Sequence, residues 1–365
     1  MSSAEQASTP ATSRLVTLVR QPLVVALVLI AALLLLGETL SPGFASGEQI
    51  LRLLIVAALM GIVAAGQNLV IIGGREGIDL SVGGVVSLSA IVAGNVMAGD
   101  NGGILPAVVA CIATGALFGF FNGIGVTFLR IPPLVMTLGM LGVLQGLLVV
   151  IRQGIPSGRA APALSDFVTQ PFLFGLPGII WLWVAIGVFM AFLLRRTVFG
   201  FRIFAIGSNE HAAYMAGVPV KVMRISLFVL SGVFAAIAGI CLLGYSGSSF
   251  ANVGEQYMLP SIIAVVFGGT PLSGGKGGYT GTMAGAVLHS MNTRLDAAII
   301  AFQLDHADCK VLITDLEYAP VVKEALQLAT VSPTVIDYSD PEFPQDGERL
   351  GTIDYEAFLE TGDPE

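Results

Sequence analysis

The string Gly77-Ile78-Asp79-Leu80-Ser81-Val82-Gly83 puts a carboxylate and a hydroxyl two residues apart where a glycine-rich apolar run begins. A carboxylate at a helix start accepts from exposed backbone N–H groups and suits the positive end of the helix dipole. An ionisable group near membrane depth is also a pointer to a translocation path or a partner contact. Asp79 and Ser81 carry both readings. A second set follows in order: Phe121-Asn122-Gly123, Arg130-Ile131-Pro132-Pro133 and Thr137-Leu138-Gly139. Asn122 lies inside an apolar run, so its amide must bond either to a neighbouring helix or to a polar substrate. Thr137 offers a further hydroxyl for such a path. Pro132 and Pro133 fit the first turn of a new helix, where the missing proline N–H has no partner to lose.

The third set is a long basic loop, Thr197 to Pro219, containing Gly207, Asn209, Ala212, Ala213, Ala216 and Gly217. Asn209 can cap a short helix that ends near Gly217. The three alanines give that helix a small-residue face. Such a helix between two apolar runs would be a knob for a partner's groove.

Other chemistries are poorly supplied. Gly274-Gly275-Lys276-Gly277 lacks the spacing and the hydroxyl residue of a phosphate-binding P-loop, so the chain has no ATPase motif of its own. Cys111, Cys241 and Cys309 form neither a CxxC pair nor a set spaced with histidines, so neither a disulfide framework nor a metal site is readable. No cofactor and no nucleic-acid partner is expected.

The elements that must position these residues follow from composition. The 365 residues are 55% hydrophobic and 12% charged, about half the usual charged share of a soluble domain. Mean hydropathy is +0.84. A crossing needs ~20 apolar residues. Runs 21–40, 50–73, 80–98, 103–129, 132–151, 172–194, 225–246 and 256–272 qualify. A ninth, 279–291, is too short for an ordinary crossing. The expected fold is therefore an all-α polytopic membrane protein of about 8–9 spans. The first run, after a polar tail of residues 1–20, reads as an uncleaved membrane helix.

Lys and Arg in short loops orient the bundle. Arg14, Arg20, Arg75, Arg130, Arg195, Arg196, Arg202, Lys221, Arg224 and Lys276 all fall on one side if the N-terminus is cytoplasmic. Arg152 and Arg159 fall on the other. Glycines cluster within the spans, where small residues let helices approach closely in lipid. Val70–Gly94 and Val265–Leu288 each read as an apolar span ending in Gly-Gly, a polar glycine-rich link, then a glycine-rich helix. That is the pattern of an internal repeat.

In order, GIDLSVG, FNG…IPP…TLG, the loop with Gly207 and Asn209, and VVFGGTPLSGGKGG resemble the permease subunits of bacterial ribose- and xylose-type ATP-binding cassette importers over about residues 20–288. The resemblance implies an inner-membrane permease for a monosaccharide, working as a homo- or heterodimer. It implies a cytoplasmic cassette ATPase and a periplasmic sugar-binding protein as partners. It also implies that Gly207, Asn209, Ala212, Ala213 and Gly217 form the helix that couples to the ATPase.

Charge breaks sharply near Asn292. Residues 1–291 hold 13 Lys+Arg and 9 Asp+Glu, and residues 292–365 hold 4 and 16. The expected domains are a tail at 1–20, a permease at 21–291 and an acidic soluble α/β fragment at 292–365. Within the last, 297–306 and 318–328 read as helices, and 310–314 and 334–337 as strands. NTRLD, KVLITD and DYEAFL resemble an internal piece of AMP-forming acyl-CoA synthetases, without that family's nucleotide loop or catalytic lysine, so no enzymatic activity is expected. The resemblance places a join near Gly285–Leu288, by gene fusion or frame error, with the permease family's last spans missing and the bundle weakened. Two other readings are a membrane-anchored synthetase fragment, which lacks its adenylation loop, and an ion-coupled transporter, which has few embedded charges to couple.

Overall fold

Uninterrupted apolar runs make helices here because every backbone group must be satisfied internally once water is absent. The computed structural model describes residues 22–40, 43–74, 77–152, 158–249, 252–291, 310–329, 331–338, 348–351 and 353–354. The chain divides into two units, residues 1–291 and 292–365.

The first unit runs α1 (Pro22–Leu40), α2 (Gly47–Gly73), α3 (Val82–Met97), α4 (Ile104–Thr127) and α5 (Pro133–Arg152). It continues with α6 (Pro162–Thr169), a hairpin of β1 (Pro171–Leu173) and β2 (Leu176–Pro177), and α7 (Gly178–Arg196). Then come α8 (Val198–Ser208), α9 (Glu210–Met215), α10 (Val220–Ser246), α11 (Met258–Phe267) and α12 (Tyr279–Ser290). Local chemistry sets many of the ends. Ser46 Oγ accepts from Gln49 N at the start of α2. Pro133 opens α5, and Gly247 closes α10 at φ 75°.

Six of these helices, α1, α2, α4, α5, α7 and α10, are long and apolar enough to cross a membrane. This falls short of the expected count. The run at 80–98 is a helix of 16 residues, and the run at 256–272 one of only 10. Glycine is the reason at the second, where Gly268 and Gly269 end the helix and Gly269 takes φ 88°.

α2 is the central element, with nearly its whole length buried. It packs on α10, α12, α11 and α7, while α10 packs most extensively on α4. The α4–α10 contact is backbone on backbone. A Cβ added at Gly115 would strike the carbonyl of Gly232, and one at Gly119 that of Phe228. At Gly123 it would meet Ile225 Cα at 2.8 Å. These glycines recur every four residues, so they form one stripe of α4.

Hydrogen bonds sort the loops into two ends. At one end, Gly99 N donates to Arg159 O and Ala160 N to Gly247 O, joining the ends of α3 and α10 to the approach to α6. At the other lie the C-termini of α2 and α4, the N-termini of α5 and α10, and α9, which together line one cavity. Arg130, Lys221 and Arg224 belong to that end.

In the second unit, β3 (Val311–Asp315), β4 (Thr334–Tyr338) and β5 (Ile353–Asp354) form a parallel sheet in that order, with α13 (Ala319–Leu328) between β3 and β4. Buried Asp337 accepts from Leu350 N and Gly351 N at 3.1 and 3.0 Å. The helix expected at 297–306 lies outside the described residues.

Replacing Gly119 by Leu, against a backbone that cannot yield, should lower the melting temperature of the detergent-solubilised chain by about 3–10 °C. Gly139→Leu, where nothing lies within 4 Å, should leave it unchanged. Thermal unfolding followed by tryptophan fluorescence separates the two.

Candidate functional site

The chain between α2 and α3 does not run straight into the next helix. Residues 77–79 belong to neither helix nor strand and α3 starts only at Val82. Such a stretch exposes backbone groups that the bundle must satisfy. It does so through Asp79. Its Oδ1 accepts from Ser81 N at 3.0 Å and Ser81 Oγ at 2.6 Å. Its Oδ2 accepts from Ser231 Oγ in α10 at 2.8 Å. Its main chain is gripped by Gln67 of α2, whose Nε2 donates to Asp79 O and whose Oε1 accepts from Asp79 N at 3.2 Å. Asn122 of α4 donates from Nδ2 to Ser81 Oγ at 2.8 Å. Thr137 of α5 accepts from Leu80 N at 3.1 Å and donates to Pro133 O at 2.9 Å.

All four residues singled out in the sequence for a substrate path, Asp79, Ser81, Asn122 and Thr137, thus sit in one buried cluster. Together they tie the 77–81 stretch to α2, α4, α5 and α10. None of them lines the cavity at the basic end. Gln67 and Ser231 belong to the cluster and carry no motif. Gln67 and Asn68 were visible as adjacent amides inside an apolar run, which is a signal in its own right. Asn68 of α2 reaches both flanks of the second glycine-rich link, donating from Nδ2 to Thr270 Oγ1 at 3.1 Å and Thr282 Oγ1 at 3.0 Å.

The second feature is the loop between α7 and α10. Thr197 Oγ1 caps α8 by accepting from Gly200 N. Asn209 Oδ1 caps α9 by accepting from Ala212 N at 3.0 Å. Gly217 follows at φ 80° and donates to Tyr214 O. Gly207 packs on the backbone of Ile72 and Gly275, where no side chain fits. Arg224 Nη2 reaches Glu210 Oε2 at 2.7 Å, pinning α9 to α10. The alanines do not share one fate: Ala212 and Ala216 are exposed and Ala213 is buried. The outward residues are larger than expected. Tyr214 is 68% and Met215 72% exposed, so α9 presents an aromatic and a thioether beside its exposed alanines.

Between the two features lies a cavity of about 980 Å³, bordered by Gly73, Thr127, Arg130, Pro133, Asn209 and Tyr214 among others. That is at the upper end of the size range of small-molecule sites, ~300–1,000 Å³. Thr127 Oγ1 is buried there without a hydrogen-bond partner among the described residues.

A short capped helix beside a cavity, on a bundle of helices long and apolar enough to cross a membrane, fits a membrane transport subunit. The comparisons with known proteins agree. The model for "Branched-chain amino acid transport system / permease component" matches residues 49–329, and the chain belongs to that family of multi-pass membrane permeases. It is 33% identical over 284 residues to the "Autoinducer 2 import system permease protein LsrC" of Escherichia coli O9:H4 (strain HS), covering 77% of this chain and 80% of that one. It is 34% identical over 267 residues to the "Ribose import permease protein RbsC" of Escherichia coli (strain K12), covering 71% and 82%. To the RbsC of Bacillus subtilis (strain 168) it is 36% identical over 258 residues, covering 70% and 79%. No solved structure matches.

Asp79→Ala would leave three buried donors without an acceptor, at about 1–3 kcal/mol each. Ser231→Ala removes a single donor to the same carboxylate and should cost less. Thermal unfolding of the two variants should rank them in that order, with equal losses counting against the cluster as a shared brace.

Proposed function

We propose that the chain is the translocation subunit of an ATP-driven importer carrying a ribose-like monosaccharide across the bacterial inner membrane. The observation that carries this is α9, a capped helix with two exposed apolar side chains beside the cavity at the basic end. Basic loops favour the cytoplasm, so this end faces inward and the N-terminus with it. A cytoplasmic cassette ATPase then seats on α9. Gly207, Asn209, Ala212, Ala213 and Gly217 set its fold and standing, and Tyr214 and Met215 make the contact. Binding energy gathers on aromatic anchors of this kind.

A second permease subunit closes the path, and a periplasmic binding protein delivers the sugar. The choice of a sugar follows the ribose permeases among the relatives, although the family description names amino acids. In this reading α3, α11 and α12 complete the bundle inside the bilayer beside the six long helices. Asp79, Ser81, Asn122 and Thr137 serve the path from behind, by fixing where the 77–81 stretch enters. The second unit takes no part in transport and has no enzymatic activity; its synthetase-like motifs lack a nucleotide loop, while the permease family match runs on into it as far as residue 329.

Two experiments bear on this. In cells expressing the chain with its cassette ATPase and binding protein, labelled ribose should enter and labelled leucine should not; the reverse would move the substrate to the amino-acid class. Changing Tyr214 and Met215 together to Glu should reduce ATPase co-purification at least ~10-fold while the permease remains folded. An intact complex would remove α9 from the contact. Ala213 is a poor probe, because a charge at that buried position would disturb α9 itself.

A further inference from the structure

Gln145 and Glu255 take no part in either feature above. Gln145 lies twelve residues into α5, ~18 Å along a helix of ~30 Å, so it stands within the hydrocarbon depth. Its Nε2 donates to Glu255 Oε1 at 2.9 Å, and both residues are exposed. Glu255 is held at this depth by its neighbour Gly254, whose N–H donates to Ser87 Oγ of α3 at 2.9 Å. Gly254 also packs directly on the Gly83 carbonyl. Among the described residues, Glu255 Oε2 and Gln145 Oε1 accept no hydrogen bond.

The face of α5 beside this pair is shaped as a trough. Gly139, Gly142 and Gly146 run along it, and open space lies where each Cβ would stand. Val135, Val143 and Val150 flank them, all exposed. A comparison surface exists on α7. Its exposed line at similar depth is Val184, Val188 and Phe192, wholly apolar, as a face against acyl chains should be. A carboxyl–amide pair against acyl chains would leave its free lone pairs and N–H unsatisfied. The α5 trough therefore faces water or a polar ligand, and the α7 line faces lipid.

We propose that Gln145 and Glu255 are a contact step of the translocation path, where neighbouring hydroxyls of a neutral polyol exchange water for the free oxygens of the pair. A carboxylate and an amide oxygen held together by one hydrogen bond present two acceptors side by side, which matches two adjacent hydroxyl donors. The glycines leave room for a sugar ring to pass the pair. This rests on the importer reading above, with a second permease subunit forming the opposite wall.

The test is cysteine accessibility in membranes holding the full chain with its ATPase. E255C and Q145C are treated with a small membrane-impermeant methanethiosulfonate, with V188C as control and the parent chain as background. A path position should react at least about tenfold faster than V188C, since a thiolate forms only where water reaches it. Millimolar ribose should slow the reaction at 255 and 145 and leave the background alone. Equal, slow reaction at 255, 145 and 188 would overturn the proposal. Fast reaction without ribose protection would keep the aqueous path but remove the polyol contact. Ribose uptake measured separately on the parent chain shows whether the substrate reading, rather than this site, has failed. Glu255→Gln, which keeps the shape, should raise the KM for ribose with little change in the amount of complex.

Discussion

One carboxylate organises the bundle. Asp79 sits where the chain leaves regular structure inside a protein with almost no water to spare, and an irregular stretch in such a place needs partners for its polar groups. Ser81, Ser231 and Gln67 supply those partners, with Asn122 and Thr137 holding Ser81 and Leu80 just after it. Remove the carboxylate and α3 loses its fixed starting point. The floor of the cavity, built from Gly73, Gly74 and Gly77, would then have nothing to set its position.

Much of this was legible in the sequence, and the parts that were not have physical reasons. Apolar runs located the long helices because lipid imposes a length. GIDLSVG and FNG…TLG picked out residues that do meet, since a polar side chain in an apolar run must have a partner. Which partner could not be read. Ser231 is one serine among many, and its role arises only from α10 packing against the 77–81 stretch. Hydropathy does not register where Gly-Gly ends a helix, as at Gly268, so the apolar run at 256–272 is longer than the helix it contains. On α9, a small-residue face was expected from Ala212, Ala213 and Ala216. Helical phase turned Ala213 inward, kept Ala212 and Ala216 outward, and set Tyr214 and Met215 standing out beside them.

The two surfaces at membrane depth show how little sequence separates lipid from path. α5 and α7 are similarly apolar, both with glycines and β-branched residues. On the outer face of α5 Gln145 marks the difference, and it gains its meaning from Glu255, 110 residues away. Composition gives the solvent class of a helix as a whole. Only the fold assigns a solvent to each face.

The glycine stripe of α4 has a mechanical consequence. Helices that meet through side chains can slide or roll by changing rotamers. α4 and α10 meet through backbone at successive turns, Gly115 on Gly232, Gly119 on Phe228 and Gly123 on Ile225. To shift along one another they would have to separate first, because each glycine notch holds a carbonyl ridge. The pair therefore behaves as a single girder. Any sliding of helix on helix must therefore occur at seams without such notches, and α11 on α12 is not one of them, since Gly281 meets the Gly268 carbonyl and Gly285 that of Ala264.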